Sequence, residues 1–350
     1  MKASLDKLTI RGFKSIRSLE NFRLKDINIF IGANGAGKSN LIEFFRLIKN
    51  VIDGNLNDYI RLGGGISDFL FDGRKRTSQM DFETYFGSRG YRFTVKPGAA
   101  ENCLLTDEAR FYDGRWQKST ENEDSEYSRS VYDGISSWQI YHFHDTSSTA
   151  GMRHYQIVQD DEKLRFDGSN VAPYLLRLKN RHPDEYREIL DALGLVMPFF
   201  DDFILEPSSF GEREKVNLSW RQRGSDYPMQ PYHLSDGSIR FICLATALLQ
   251  PNPPSTIVVD EPELGLHPFA VALLAELIQN ASCRTQLIVA TQSPIFIDYF
   301  KVDDIVVVNR KDGSSTFDRL KEEEYREWLE DYSTGELWRK NLLSGGPSHE

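Results

Sequence analysis

Ile27-Asn28-Ile29-Phe30-Ile31-Gly32-Ala33-Asn34-Gly35-Ala36-Gly37-Lys38-Ser39 is the stretch that decides the fold. An apolar, β-prone run ends directly in glycine, and Gly32 to Ser39 then match G-x-x-x-x-G-K-[ST] in full. From Ser39 onward the spacing turns helical, with Leu41, Phe45 and Ile48 on one face. Strand, glycine loop and helix in this order make a phosphate cradle. Glycines let backbone N–H groups turn inward on an anion, and the helix N-terminus behind them favours negative charge. Lys38 is expected to reach the β- and γ-phosphates, and the Ser39 hydroxyl to ligate Mg²⁺. The plain alternative, a chance glycine loop, does not account for the flanking buried strand and amphipathic helix.

Far along the chain, Ile257-Val258-Val259-Asp260-Glu261 is another apolar strand, ending in two carboxylates. At the carboxyl edge of a parallel sheet such residues face the phosphate loop. Asp260 is placed to hold Mg²⁺, directly or through water, and Glu261 to polarise a water for in-line attack on the γ-phosphate. In isolation the pair would read as a solvated strand end. Thr256 to Asp260, Gln286 to Thr291 and Asp304 to Asn309 read as buried strands, with a helix over Ala270 to Asn280. Strands alternating with helices predict an α/β fold with a mostly parallel core sheet and right-handed crossovers.

The middle of the chain differs. Alternating runs at Met80 to Phe86, Tyr91 to Val95 and Ala109 to Tyr112, broken by polar turns, predict an antiparallel β lobe. Ser119 to Ser130 reads as an exposed acidic loop. Val171 to Asn180 and Pro183 to Leu195 read as helices, Pro183 in a first turn, and Phe203 to Glu206 and Val216 to Trp220 as strands. The predicted organisation is one head: an N-terminal part with the phosphate loop over 1–76, an inserted β and helical lobe over 77–230, a part carrying the later motifs over 231–318, and a helical tail over 319–350. There is no internal repeat and no heptad array.

Composition bounds the function. Forty per cent hydrophobic and 27% charged residues are ordinary for a globular protein. The longest apolar stretches, such as Phe241 to Leu249, fall short of the roughly 20 residues that span a bilayer. The start, MKASLDKLTI, has no apolar signal core. Cys103, Cys243 and Cys283 are isolated, which argues against a disulfide framework or zinc ribbon. A cytoplasmic location without a membrane partner is expected. The net charge of −10 argues against wholesale coating of nucleic acid. Arg74-Lys75-Arg76 and the Arg221, Arg223 pair leave a local basic face open, although such runs are commonly solvated surface.

Leu234-Ser235-Asp236-Gly237-Ser238 opens a further apolar helix, Ile239 to Leu249. Alone it is a plain N-cap turn; ahead of Asp260 and Glu261 it completes an order of motifs. Together with Gly12-Phe13-Lys14-Ser15, Gly32 to Asn40, Asp260-Glu261-Pro262-Glu263, Gly265-Leu266-His267-Pro268 and Thr291-Gln292-Ser293-Pro294, it makes the sequence resemble the ABC-class ATPase heads of SMC proteins, RecF and the overcoming-lysogenization-defect ATPases. It looks closest to compact bacterial predicted ATPases that share Tyr141-His142-Phe143-His144-Asp145-Thr146. The resemblance implies a P-loop NTPase head of the ABC type with ATP and Mg²⁺ as cofactors. It implies ATP contacts from Gly32, Asn34, Gly35, Gly37, Lys38, Ser39 and Asn40. It further implies that Ser235 and Gly237 meet the γ-phosphate held by a second head, so that ATP joins a homodimer with two equivalent sites. By the same resemblance Lys14, with Phe13 and Ser15, flanks the base or ribose, unless these residues only shape a turn, and His267 belongs to the segment touching the partner head.

Two positions depart from the family pattern. Gln292 stands where many such proteins carry a γ-phosphate-sensing histidine; glutamine both donates and accepts, and can orient a water. The glutamine that links Mg²⁺ to the inserted lobe is missing at the end of Trp138 to Phe143, where His144 and Asp145 stand. One of the two, with His144 taken as the metal residue, is expected to fill that role through water. A metal site of His142, His144 and His154 is the rival, less favoured than structural histidines. The expected function is ATP hydrolysis by a head that dimerises on ATP. It would couple nucleotide state to DNA, or to a partner effector such as a nuclease, in DNA repair or phage defence. The alternative is a nucleotide-gated scaffold or sensor with slow turnover that regulates a partner protein. Absent heptads argue against entrapment of DNA by long arms, and no nuclease domain of its own is expected after the last strand. The energising subunit of a membrane transporter is disfavoured, and the acidic tail from Leu320 to Leu343, with Trp328 and Trp338, is read as a cap or a dock.

Overall fold

The computed structural model describes residues 4–99, 102–112, 114–118 and 126–343. In chain order the elements are β1 (Lys7–Phe13), β2 (Ile16–Arg23), β3 (Ile27–Ile31), α1 (Lys38–Ile52), α2 (Leu56–Leu62), α3 (Ile66–Phe69), β4 (Met80–Phe86), β5 (Arg89–Pro97), β6 (Cys103–Tyr112), β7 (Arg115–Lys118), α4 (Glu126–Ser136) and β8 (Gln139–Tyr141). There follow β9 (Gln156–Ile157), α5 (Val171–Arg181), α6 (Pro183–Val196), β10 (Phe200–Ile204), β11 (Ser208–Phe210), β12 (Arg213–Val216), β13 (Ser219–Gln222), β14 (Pro228–Met229) and α7 (Asp236–Leu248). The last third holds β15 (Thr256–Asp260), α8 (Pro268–Ser282), β16 (Gln286–Thr291), α9 (Pro294–Ile297), β17 (Ile305–Lys311), β18 (Ser314–Arg319), α10 (Glu322–Leu329) and α11 (Thr334–Arg339).

The chain forms two compact units. The first comprises Met1–Ile140, Pro254–Asp260 and Thr285–Glu350. Its core sheet has the order β18-β17-β3-β16-β15-β8. β15, β16, β3 and β17 run parallel, and β18 returns antiparallel to β17. The central strands are largely apolar, as burial on both faces requires, with Asn28, Thr256, Gln286 and Thr291 buried among them. The apolar stripe of α1 (Leu41, Phe44, Phe45, Ile48) is buried and packs on β15 and β16. A second sheet, β2-β1-β4-β5-β6-β7, is antiparallel at each of its strand pairings among the described residues. In β4 alternate residues are buried, and Phe82 packs edge-on to Phe13 at 5.7 Å.

The second unit comprises Tyr141–Pro253 and Glu261–Arg284. Here α5, α6, α7 and α8 pack on one another beside the small sheets β10-β13-β14 and β11-β12-β9. Of the segment 77–230, expected as one inserted lobe, β4 to β7 and α4 lie in the first unit, and α5, α6 and β9 to β14 in the second.

Several expected elements fall elsewhere. Val216 to Trp220 is not one strand: β12 ends at Val216 and pairs with β11 and β9, whereas β13 starts at Ser219 and pairs with β10 and β14. The chain changes sheets at Asn217, so an unbroken apolar alternation spans a break. The strand expected at Phe203 to Glu206 lies earlier, at Phe200–Ile204. Of the loop expected over Ser119 to Ser130, residues 119–125 lie outside the described residues and the remainder opens α4, whose Val131 and Ile135, one turn apart, are buried. Residues 344–350 of the expected tail also lie outside them. Burial pushes the thiols of Cys103 and Cys243 up, to about 11 and about 12, which keeps both protonated.

Candidate functional site

The phosphate loop leaves β3 at Gly32 and enters α1 at Lys38. Gly35 and Gly37 hold φ of 79° and 115°, a left-handed region that side chains disfavour. At Gly37 there is also no room: a Cβ would lie 2.0 Å from Ser315 Oγ and 2.8 Å from Ser15 Oγ. Those hydroxyls belong to a network that the sequence did not reveal. Asn40 Nδ2 donates to Ser15 Oγ at 2.7 Å, Ser15 and Ser315 share a 2.7 Å hydrogen bond, and Ser315 donates to the Ala36 carbonyl at 2.6 Å. The β17–β18 hairpin thus underpins a loop about 280 residues away in sequence, a link no local pattern encodes. Gly37→Ala is expected to cost at least ~1–3 kcal/mol from backbone strain alone, read as a lowered denaturation midpoint.

Lys38 is 5% exposed, and its Nζ donates to the Gly32 and Ala33 carbonyls at 2.6 and 3.2 Å. The ammonium is held within the loop it would serve. Ser39 is exposed and Asn40 half-buried beside it. Lys14 sits in the β1–β2 turn with φ of 46°, its Nζ 4.5 Å over the Phe69 ring and 4.0 Å from Glu43. Phe13, by contrast, is fully buried between Phe69 and Phe82, so it takes no part in flanking a nucleotide. An open groove of about 420 Å³ adjoins the loop, lined among others by Lys14, Ser15, Asn40, Asp68, Asp72 and Arg310.

Register brings further candidates to the same sheet edge. Asp260 pairs with Ala290, Ala290 with Phe30, and Thr291 with Ile31. The carboxyl ends of β15, β16 and β3 are therefore level, and Asp260, Gln292 and the phosphate loop all follow from that edge. Glu261 turns sharply out of β15 with φ of 41°, rare for a residue with a side chain and common where function holds the backbone under strain. An exposed hydroxyl at Ser39 and a carboxylate at Asp260 suit Mg²⁺, which takes few protein oxygens and completes its shell with phosphate and water.

The signature residues lie in the second unit. Ser235 caps α7, its Oγ accepting from Ser238 N at 3.0 Å, and the side chain is exposed. Gly237 presses on the loop after Glu263: a Cβ there would lie 2.5 Å from the Gly265 carbonyl. Two arginines that belong to no sequence motif fix this turn. Arg153 donates to the carbonyls of Thr146, Pro231 and Leu234 and, at 2.8 Å, to Asp236. Arg240 donates to the carbonyls of Phe143, His144 and Leu264. Through its carbonyl, His144 is thereby tied to the signature helix, and its ring lies 3.9 Å from that of His142. His267 caps α8, with Nδ1 accepting from Phe269 N at 3.2 Å.

A family described as "AAA domain, putative AbiEii toxin, Type IV TA system" matches residues 27–298, well over half of the chain. The chain belongs to this family. The matched span runs from β3 to α9 and so takes in the phosphate loop, the signature turn, Asp260 and Gln292. No curated protein matches the sequence. Among solved structures, an SmcHead bound to the C-winged helix domain of ScpA has a TM-score of 0.65 at 19% identity, covering 93% of this chain and 99% of that one. An Smc head with an extended coiled coil from Pyrococcus furiosus, bound to the C-terminal domain of ScpA, has a TM-score of 0.61 at 18% identity, covering 94% and 99%. An Smc head with coiled coil and joint from Pyrococcus yayanosii has a TM-score of 0.57 at 13% identity, covering 94% and 99%. This member of the AAA-domain family therefore has the ABC-type P-loop NTPase fold of SMC heads. Among the described residues no helix is long and apolar enough to cross a membrane.

Proposed function

We propose that the chain is an ATPase whose heads pair face to face on ATP. The observation that carries this reading is the level sheet edge, with the phosphate loop, Asp260 and Gln292 on neighbouring parallel strands. In it, Lys38, the loop N–H groups and Asn40 bind the phosphates, and Lys14 flanks the base or ribose. Ser39 and Asp260, with His144 through water, would hold Mg²⁺, which would supply charge neutralisation to the phosphates. Glu261 takes the proton of the attacking water and Gln292 orients that water. Ser235 and Gly237 of one head serve the nucleotide of the other, because an exposed, capped helix N-terminus is an anion site.

Beyond the ATPase, the work driven is proposed as control of DNA or of a protein effector such as a nuclease, in repair or phage defence in the cytoplasm. The solved SMC heads with bound ScpA domains support a protein partner. Gln292 in place of histidine supports the second reading, a sensor with slow turnover. Steady-state ATP turnover with and without DNA separates the two, and absence of any turnover or of nucleotide binding would remove the first. Ser235→Arg is expected to leave each monomer binding nucleotide while abolishing ATP-driven association, read as mass in solution. Association unchanged by that substitution would rule out the composite site.

A further inference from the structure

One cross-strand row runs unbroken over every strand of the antiparallel sheet. Arg23 of β2 pairs with Lys7 of β1, Lys7 with Tyr85 of β4, Tyr85 with Gly90 of β5, Gly90 with Phe111 of β6, and Phe111 with Trp116 of β7. Partners directly opposite share a face. This face lies away from the core: in β4, Met80, Phe82, Thr84 and Phe86 are buried while Asp81, Glu83 and Tyr85 are half-exposed. Gly90 makes the row continuous. A Cβ there would lie 3.0 Å from Phe111 Cβ and 3.2 Å from Tyr85 Cδ1, and without it the two rings meet with centroids 5.6 Å apart. Trp116 joins them at 5.3 Å from Phe111 and 5.6 Å from Tyr85.

Cations lie over two of these rings. Lys7 Nζ is 4.0 Å from the Tyr85 centroid, and the Arg92 guanidinium carbon 4.6 Å from that of Trp116. Arg92 and Lys118 face each other across Ala109 in the adjacent row, and Lys118 and Arg23 are exposed. Among the described residues, none of Arg23, Lys7, Arg92 and Lys118 has a carboxylate within the 4.0 Å of an ion pair. The carboxylates on the same face are already engaged. Glu20 pairs with Arg11 at 2.9 Å, Glu83 accepts from the Tyr85 hydroxyl at 2.8 Å, and Asp81 accepts from Thr94 at 2.7 Å. On a chain of net charge −10 this row is a local exception.

We propose that this sheet face binds single-stranded nucleic acid. Half-exposed rings offer stacking surfaces for unpaired bases, and cations without a carboxylate partner, in two adjacent rows across ~24 Å, five strand spacings of about 4.8 Å, suit the phosphates. A duplex keeps its bases stacked on each other and would use only the cations. A protein partner would cover the rings but has no need of four cations without a carboxylate partner. The surface lies within the first unit and does not rest on the ATPase reading.

The test is fluorescence anisotropy of a labelled oligothymidylate of about 15 nucleotides, within the ~4–16 range of single-strand sites, on the full chain and its Lys38→Ala variant. Both should bind alike, with log affinity falling against log salt at a slope of about −3 for four phosphate contacts. Trp116→Ala should weaken binding roughly tenfold, as loss of one stacked base implies, and Trp116→Phe should restore most of it. Lys118→Gln, an exposed position with no folding burden, should reduce the slope by about 0.7. It decides the matter should Trp116→Ala lose its circular dichroism signature. No binding at low salt, equal affinity for a duplex of the same length, or indifference to Lys118→Gln would each overturn the proposal.

Discussion

Replacing Lys38 by alanine is expected to weaken ATP binding by about 2–5 kcal/mol, roughly thirtyfold or more, with little loss of fold. The ammonium sits in the loop, bonded to the Gly32 and Ala33 carbonyls. Moving it onto phosphate exchanges neutral acceptors for charged ones, the stronger kind of hydrogen bond. Its absence leaves phosphate oxygens facing the loop with backbone donors alone. Isothermal titration with ATP reads the loss, and unchanged affinity would remove the phosphate-loop assignment.

The second large effect is expected at Glu261. Glu261→Gln keeps the size and hydrogen bonding of the side chain but removes its basicity. Turnover should fall by about 10²–10⁴, the usual share of a general base, while ATP binding persists. In the proposed scheme ATP then stays between the heads. The variant should therefore sediment as a monomer without nucleotide and as a dimer with Mg-ATP. Normal turnover would show that another group takes the proton. A mass indifferent to ATP would put the control of assembly outside the nucleotide site.

The buried parts of the fold were legible because burial writes itself into sequence. β3, β15 and β16 are mostly apolar runs closed by Gly32, by Asp260 and by Gln292, and β4 alternates residue by residue. Elements that bury little were not. β2, where no strand was expected, hides only Ile16 and Leu19. On the site, motifs located Lys38, Asp260 and the signature turn because their chemistry is local. Ser315 beneath Gly37, Gly265 against Gly237 and the Arg153 contacts join segments up to about 280 residues apart. Such pairs become visible only when tertiary packing sets them side by side.

The position of β3 bears on how the protein comes into being. Its two neighbours in the sheet, β16 and β17, both come from near the end of the chain, as does Ser315. A polypeptide leaving the ribosome N-terminus first exposes the phosphate motif long before either neighbour has been made. Until then β3 has two open edges, and the Ala36 carbonyl lacks its hydroxyl. The antiparallel sheet draws all its strands from between Lys7 and Lys118, so it closes early through shorter-range pairings. A nascent chain halted before Gln286 would carry the whole nucleotide motif and no nucleotide site.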